Sequence, residues 1–264
     1  MMSMRIHQTL CCLLLIGSSA VMAAEVPDYE REQRLSDEYV DGIVVGDTVD
    51  LNDGERDFIG ILTEAESEQA KGAILILHGR GFHPAWPTVI QPLRTSLPEN
   101  GWATLSIQLP VLDKDAKYFD YVPLFPYAHS RIKPALKYLK EEGYERVVVL
   151  AHSCGGHMMM SYLNKYDDSE FDAYISVGSG ATDYKQPMLE DFPFAKMKVP
   201  ILDIYGSEDF PAVLRKAQER KNLIWQGGNR KSSQIVVSGA DHYYTKPGNV
   251  EKLTEEISNW LENL

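Results

Sequence analysis

Ser153 lies in the stretch Ala151-His152-Ser153-Cys154-Gly155, directly after the apolar run Val147, Val148, Val149 and Leu150 and directly before the helix-like GGHMMMSYL. A hydroxyl displayed on a tight turn from strand to helix can serve as a nucleophile. Such a turn needs small residues two before and two after the nucleophile, because strand and helix close on each other there. Ala151 and Gly155 meet that demand for Ser153. Cys154 fails it, since His152 would fill the crowded leading position. The pattern therefore assigns attack to Ser153 and leaves Cys154 to offer its backbone N–H to a developing oxyanion, a role indifferent to its side chain.

A serine nucleophile requires a base, and the base requires a group that orients it. PILDIYGSEDF places Asp209 in the loop after one apolar run, and SQIVVSGADHYY places His242 just past the next. Ser, Asp and His thus arise in that order at successive strand ends, which lets all three meet at one edge of a parallel sheet. Two plainer readings compete. Asp209 could simply cap a helix beginning near Pro211, and His242 could be a surface histidine. Glu208 and Asp203 are weaker candidates for the acid, Asp203 because it lies within a strand. His129, His152 and His157 read as structural histidines. HExxH and CxxC patterns are missing from the sequence, so neither a metal nor another cofactor is expected.

Upstream, ILILHGRGFHP reads as a buried strand running into His78-Gly79-Arg80-Gly81. Glycines here let the backbone fold tightly and aim the N–H of Arg80 or Gly81 at the same oxyanion as that of Cys154. The Arg80 guanidinium carries five donors in a planar fork. It either reaches the cleft, where it would suit a substrate carboxylate or phosphate, or pairs with an acid such as Asp113 or Glu208 and braces the loop. The segment Val111 to Pro126, VLDKDAKYFDYVPLFP, follows another strand end, where α/β folds place ligands. It reads either as a loop or short lid presenting Tyr118 and Phe119 to substrate, or as an excursion that only packs.

The elements that must position these residues alternate in type. Strand-like runs occur at DGIVVGD, RDFIGILT, GAILILHG, WATLSIQL, RVVVLAH, DAYISVG, PILDIYG and SQIVVSG, most of them near-continuously apolar, as in strands buried on both faces. Between them, AHSRIKPALKYLKEEG places Ala128, Ile132, Ala135, Leu136 and Leu139 on one helical face despite Pro134. Near the C-terminus Val250, Leu253, Ile257, Trp260 and Leu261 recur at helical spacing. This is the pattern of an α/β fold: a mostly parallel, doubly wound sheet of about eight strands with helices on both faces.

LHGRG, AHSCGG, YGSED and GADH, in that order, resemble the oxyanion loop, nucleophile elbow, acid loop and histidine loop of the α/β-hydrolase superfamily, over the chain from about Asp41 onward. More narrowly, LHGRGFHPAWPTVIQPLRTSLPENGWATLSIQLP is similar to a group of exported proteobacterial α/β-hydrolase-like proteins of unassigned function. Ala151 departs from the glycine usual in the superfamily and adds a methyl group to the turn. The resemblance implies a serine hydrolase acting on a small-molecule ester or thioester. A peptidase or amidase with the same triad, or a non-catalytic binding protein on the same fold, are its alternatives. Many superfamily members insert a large helical cap where this chain has only the short stretch from Gly178 to Pro200, so a small or absent cap and an open pocket are expected.

Arg5 followed by LCCLLLIGSSAVMA has the form of a signal peptide cleaved after Ala23, shorter than a membrane span. The expectation is a signal over residues 1–23, a single domain over 24–264, no membrane anchor after processing and a periplasmic or secreted location. Cys11 and Cys12 leave with the signal, so Cys154 remains alone and no internal disulfide can form. Of 264 residues, 26 are Lys or Arg and 38 are Asp or Glu, a net charge of −12 that becomes −13 without Arg5. That sign argues against nucleic acid or anionic membrane as a partner.

Overall fold

The computed structural model describes residues 25–264; the expected signal peptide lies outside the described residues. Eight strands form one sheet: β1 (Asp47–Asn52), β2 (Asp57–Thr63), β3 (Gly72–Leu77), β4 (Trp102–Ile107), β5 (Val147–His152), β6 (Ala173–Val177), β7 (Ile201–Gly206) and β8 (Ser233–Val237). Their spatial order is β1-β2-β4-β3-β5-β6-β7-β8. Strands β3 to β8 pair in parallel, while β1 with β2 and β2 with β4 are antiparallel. The helices are α1 (Tyr29–Tyr39), α2 (Ile90–Ser96), α3 (Tyr118–Tyr121), α4 (Phe125–Glu141), α5 (Cys154–Tyr166), α6 (Pro211–Gly227) and α7 (Asn249–Leu261). Among the described residues no helix is long and apolar enough to cross a membrane.

The central strands β3, β4, β5 and β7 are buried at every position, in keeping with their mostly apolar sequences. Their side chains still alternate between faces. Leu75, Leu77, Val147, Val149 and Ala151 join the cluster containing α4 and α5, whereas Ile74, Ile76, Val148 and Leu150 join the one containing α2 and α7. Helix α4 continues through Pro134, which removes one intrahelical bond; its buried face of Ala128, Ile132, Ala135, Leu136 and Leu139 secures it on both sides of the proline.

Two elements differ from the sequence reading. DGIVVGD gives a strand only its last residue, Asp47: Val40–Gly42 is a 3-10 turn and Val44 is exposed. The strand is the next stretch, DTVDLN, an edge strand with mostly solvent-facing positions and a buried Leu51, so its polar residues masked it. Helix α1, unforeseen, is fastened to the sheet by the buried Arg131 of α4. This guanidinium donates to the Glu32 carboxylate at 2.9 Å and lies 3.6 Å from that of Asp53.

All four sequence motifs emerge at the carboxyl ends of their strands. β3 leads into His78, β5 into Ser153, β7 into the loop holding Asp209, and β8 into that holding His242. Between β6 and β7 no helical cap is inserted: Gly178 to Pro200 carries no helix.

Candidate active site

Ser153 bridges β5 and α5 with φ 55° and ψ −119°, a conformation that side-chain-bearing residues rarely adopt. Its backbone N–H is held by the Val177 carbonyl at 3.0 Å. The turn closes only because Gly155 lacks a side chain: a Cβ there would lie 2.5 Å from the His78 carbonyl oxygen and 2.7 Å from that of Leu77. Ala151, wholly buried in the register between Leu77 and Ser176, is accommodated on the other flank.

Ser153 Oγ stands 2.9 Å from His242 Nε2, and His242 Nδ1 stands 2.6 Å from Asp209 Oδ1. A carboxylate can only accept, so Nδ1 carries the proton and Nε2 is left to accept from the serine hydroxyl. Both His242 and Asp209 are buried. Asp209 also accepts from the backbone N–H of Phe210 at 2.6 Å, but its side chain does not cap α6, whose N-cap Phe210 has no side-chain partner. Asp203 lies elsewhere, fully buried within β7 and paired with Arg220. Glu208 pairs on the surface with Lys246.

Two glycines, Gly178 outside the sequence motifs and Gly206 within YGSED, make room for this arrangement. A Cβ on Gly178, which follows β6 at φ 61°, would lie 3.1 Å from His242 Cε1 and 3.3 Å from Asp209 Oδ2. One on Gly206 would lie 2.2 Å from the Ala240 carbonyl oxygen, so only glycine lets the acid and histidine loops meet. The sequence signal was a glycine at a strand end, too common to single out without the contacts.

The loop after β3 is held rigidly. His78 Nε2 accepts the Leu109 N–H at 2.9 Å, so its Nδ1–H donates to the Gly79 carbonyl at 2.8 Å. Burial lowers the His78 pKa to about 3, which keeps the ring neutral in this role. Arg80, Ser153 and Cys154 together line a cavity of about 240 Å³. Among the described residues no backbone carbonyl accepts from the N–H of Arg80 or of Cys154. Gly81 does not line this cavity, and its carbonyl accepts from the Arg31 side chain of α1 at 3.3 Å. Burial pushes the Cys154 thiol up to about 12, so it stays protonated and unreactive.

Phe82, Tyr118, Phe210 and Tyr243 form aromatic walls of the cavity, and the Phe210 ring stacks on His242 with centroids 4.2 Å apart. Of the two aromatic contacts expected from the segment after β4, Tyr118 lines the cavity; Phe119 does not, and is partly exposed. The segment is structured by α3 rather than being an open loop, with Tyr118, Tyr121 and Phe125 buried.

The Arg80 guanidinium is bound by Asp183, not by Asp113 or Glu208. Its Nη1 donates to Asp183 Oδ2 and its Nη2 to Oδ1 at 3.1 Å. Burial alone would raise the Asp183 pKa, but these bonds and one from the Tyr118 N–H hold it below the ordinary carboxylate range. Nothing in the sequence flagged Asp183, because the pairing spans 103 residues.

His129 Nε2 contacts the Ser161 hydroxyl, His157 Nε2–H donates to the Ala181 carbonyl, and His152 Nε2–H donates to the His242 carbonyl at 3.1 Å. Burial lowers the His152 pKa to about 3. Among the described residues no group of three or more His, Cys, Asp or Glu side chains is placed to hold a metal.

A family model described as "Protein of unknown function (DUF3530)" matches residues 11–119 and 127–263. No curated protein matches the sequence. Among solved structures, a dienelactone hydrolase from Anabaena variabilis is similar with a TM-score of 0.67 and 21% identity, covering 83% of this chain and 97% of that one. Est1E from Butyrivibrio proteoclasticus has a TM-score of 0.62 and 16% identity, with 83% and 98% covered. A serine hydrolase without a lid from Xanthomonas campestris has 0.60 and 12%, with 84% and 95% covered. At these identities the likeness establishes the α/β-hydrolase fold and nothing finer.

Proposed function

The chain belongs to the DUF3530 family of proteins of unknown function, and we propose that it is a serine hydrolase cleaving an ester or thioester through an acyl-enzyme. One observation carries this reading: the continuous relay Ser153 Oγ, His242 Nε2, His242 Nδ1, Asp209 Oδ1, with links of 2.9 and 2.6 Å, on a serine held at positive φ.

In this reading Ser153 Oγ attacks the acyl carbonyl as its proton passes to His242 Nε2. Asp209 holds the Nδ1–H tautomer and stabilises the imidazolium that forms. The N–H groups of Arg80 and Cys154 receive the tetrahedral oxyanion. Protonated His242 then gives its proton to the leaving alkoxide or thiolate, leaving Ser153 acylated. A water molecule, deprotonated by the same nitrogen, releases the acid and restores the serine. The small-molecule substrate enters a cavity with no helical cap between β6 and β7 above it, a feature in keeping with the lidless hydrolase among the structural neighbours. Export belongs to the same proposal: the leader ending at Ala23 is removed and the enzyme works in the periplasm or outside the cell.

The test is a screen of p-nitrophenyl esters graded in acyl length, with Ser153→Ala as control, alongside labelling by a fluorophosphonate. Turnover and labelling that both vanish in Ser153→Ala are expected. A purified, folded protein that neither turns over any ester nor reacts with the probe is a binding protein on this fold. N-terminal sequencing of the exported protein checks the cleavage after Ala23.

A further inference from the structure

Three charged side chains line the cavity beside Ser153: Arg80, Asp183 and Lys114. Lys114 is exposed at the rim between Asp113 and Asp115, also exposed. Arg80 and Asp183 are partly shielded, with side-chain exposures of 35% and 24%, and are bound to each other through both arms of the guanidinium fork. That fork is the arrangement with which an arginine would grip a substrate carboxylate or phosphate. Here the protein fills it with its own carboxylate, held in place by a third bond from the Tyr118 N–H.

We propose that Asp183 determines specificity by acting as a resident stand-in for an anionic substrate group, so that the site takes esters uncharged near the scissile bond. This rests on the serine-hydrolase reading. An incoming carboxylate finds its best partner occupied and meets the Asp183 charge beside it. An uncharged acyl group meets only the aromatic walls, Thr182 and Ala181. The ion pair joins the oxyanion loop to the connection after β6, so Asp183 holds Arg80 whatever the substrate. A ratio of two substrates separates this shared effect from specificity.

The experiment compares kcat/KM for the p-nitrophenyl monoester of adipate, an anion at neutral pH, with that for its methyl-capped counterpart, in wild type and in Asp183→Asn. Asparagine keeps one oxygen for the Tyr118 N–H and one arm of Arg80, and removes the charge together with the acceptor for the other arm. Wild type should favour the capped ester at least tenfold, in line with the usual worth of a charge-assisted bond. Asp183→Asn should shrink that preference at least tenfold, and raising the salt should erode the gain. An anionic-to-capped ratio that is the same in variant and wild type overturns the inference, as does a wild type that hydrolyses both esters equally. Asp183→Ser carries the same comparison if the asparagine variant does not fold. Capped-ester turnover lacking any dependence on Ser153 instead removes the hydrolase reading; Ser153-dependent turnover with an unmoved ratio removes only the role of Asp183.

Discussion

Gly178 and His242 are in such close approach that a single methyl group on the glycine would sit 3.1 Å from the imidazole Cε1 and 3.2 Å from Nδ1. The backbone there is also left-handed, at φ 61°. Gly178→Ala should therefore push the ring away from Ser153 and lower kcat/KM for any ester substrate by at least tenfold, roughly the cost of a misaligned base. The thermal midpoint should fall only by the few degrees expected of about 1 kcal/mol of backbone strain. Steady-state kinetics alongside a melting curve checks this; unchanged kinetics would mean that His242 has room to spare.

The strain at Ser153 is retained for the reaction, so relieving it should separate stability from turnover. Ser153→Gly should be more stable than wild type by about 1 kcal/mol, since positive φ costs glycine nothing, while turnover disappears. Chemical denaturation measures the first and an ester assay the second. The neighbouring thiol contributes neither: Cys154→Ala should keep most activity, and iodoacetamide should leave the wild type active, because burial keeps the thiol protonated. A dead Cys154 variant with an active Ser153→Ala would reverse the assignment.

Asp203 and Asp209 sit on β7 and in the loop after it, and their substitutions should fail in opposite ways. Asp209→Asn should fold normally and lose on the order of 10³ to 10⁴ in kcat, because the imidazole loses its tautomer. Asp203→Asn leaves the fully buried Arg220 guanidinium poorly compensated and should cost about 3–5 kcal/mol of stability. Denaturation midpoints and rates for the two proteins decide it; a stable, inactive Asp203→Asn would make Asp203 the acid.

Acid should unfold the protein through buried histidines that take no part in the proton relay. His78 and His152 are buried and neutral, their pKa values lowered by burial to about 3. In the unfolded chain they protonate near the ordinary value of about 6.5. Between these limits the unfolded state binds more protons, so stability rises with pH through this window and is lost as pH falls below about 6.5 towards 3. Urea midpoints should decline steadily from pH 6.5 to 4, less steeply in His152→Gln. A midpoint constant over that range would mean that these rings can charge in place.

What could be read from the sequence about this protein was whatever depends on neighbours in the chain. Apolar runs such as Val147–Leu150 demand burial, the flanks Ala151 and Gly155 permit a sharp turn at Ser153, and the succession of strand ends puts Asp209 and His242 after it. The failures were of two kinds. Ile43, Val44 and Val45 look like a strand, yet Asp47–Asn52 forms it, because an edge strand facing water needs few apolar residues and pairing rather than hydropathy places it. The second kind was contact at long range. The tertiary structure alone decided that Asp183 holds Arg80 across 103 residues, that Gly178 leaves space for His242, and that Arg31 of α1 reaches the Gly81 carbonyl. A side chain's type and immediate neighbours set which bonds it can make, but which partner arrives is set by how the sheet orders its strands, and here β3, β5, β6 and β7 stand side by side although the helices and loops between them separate them in the chain.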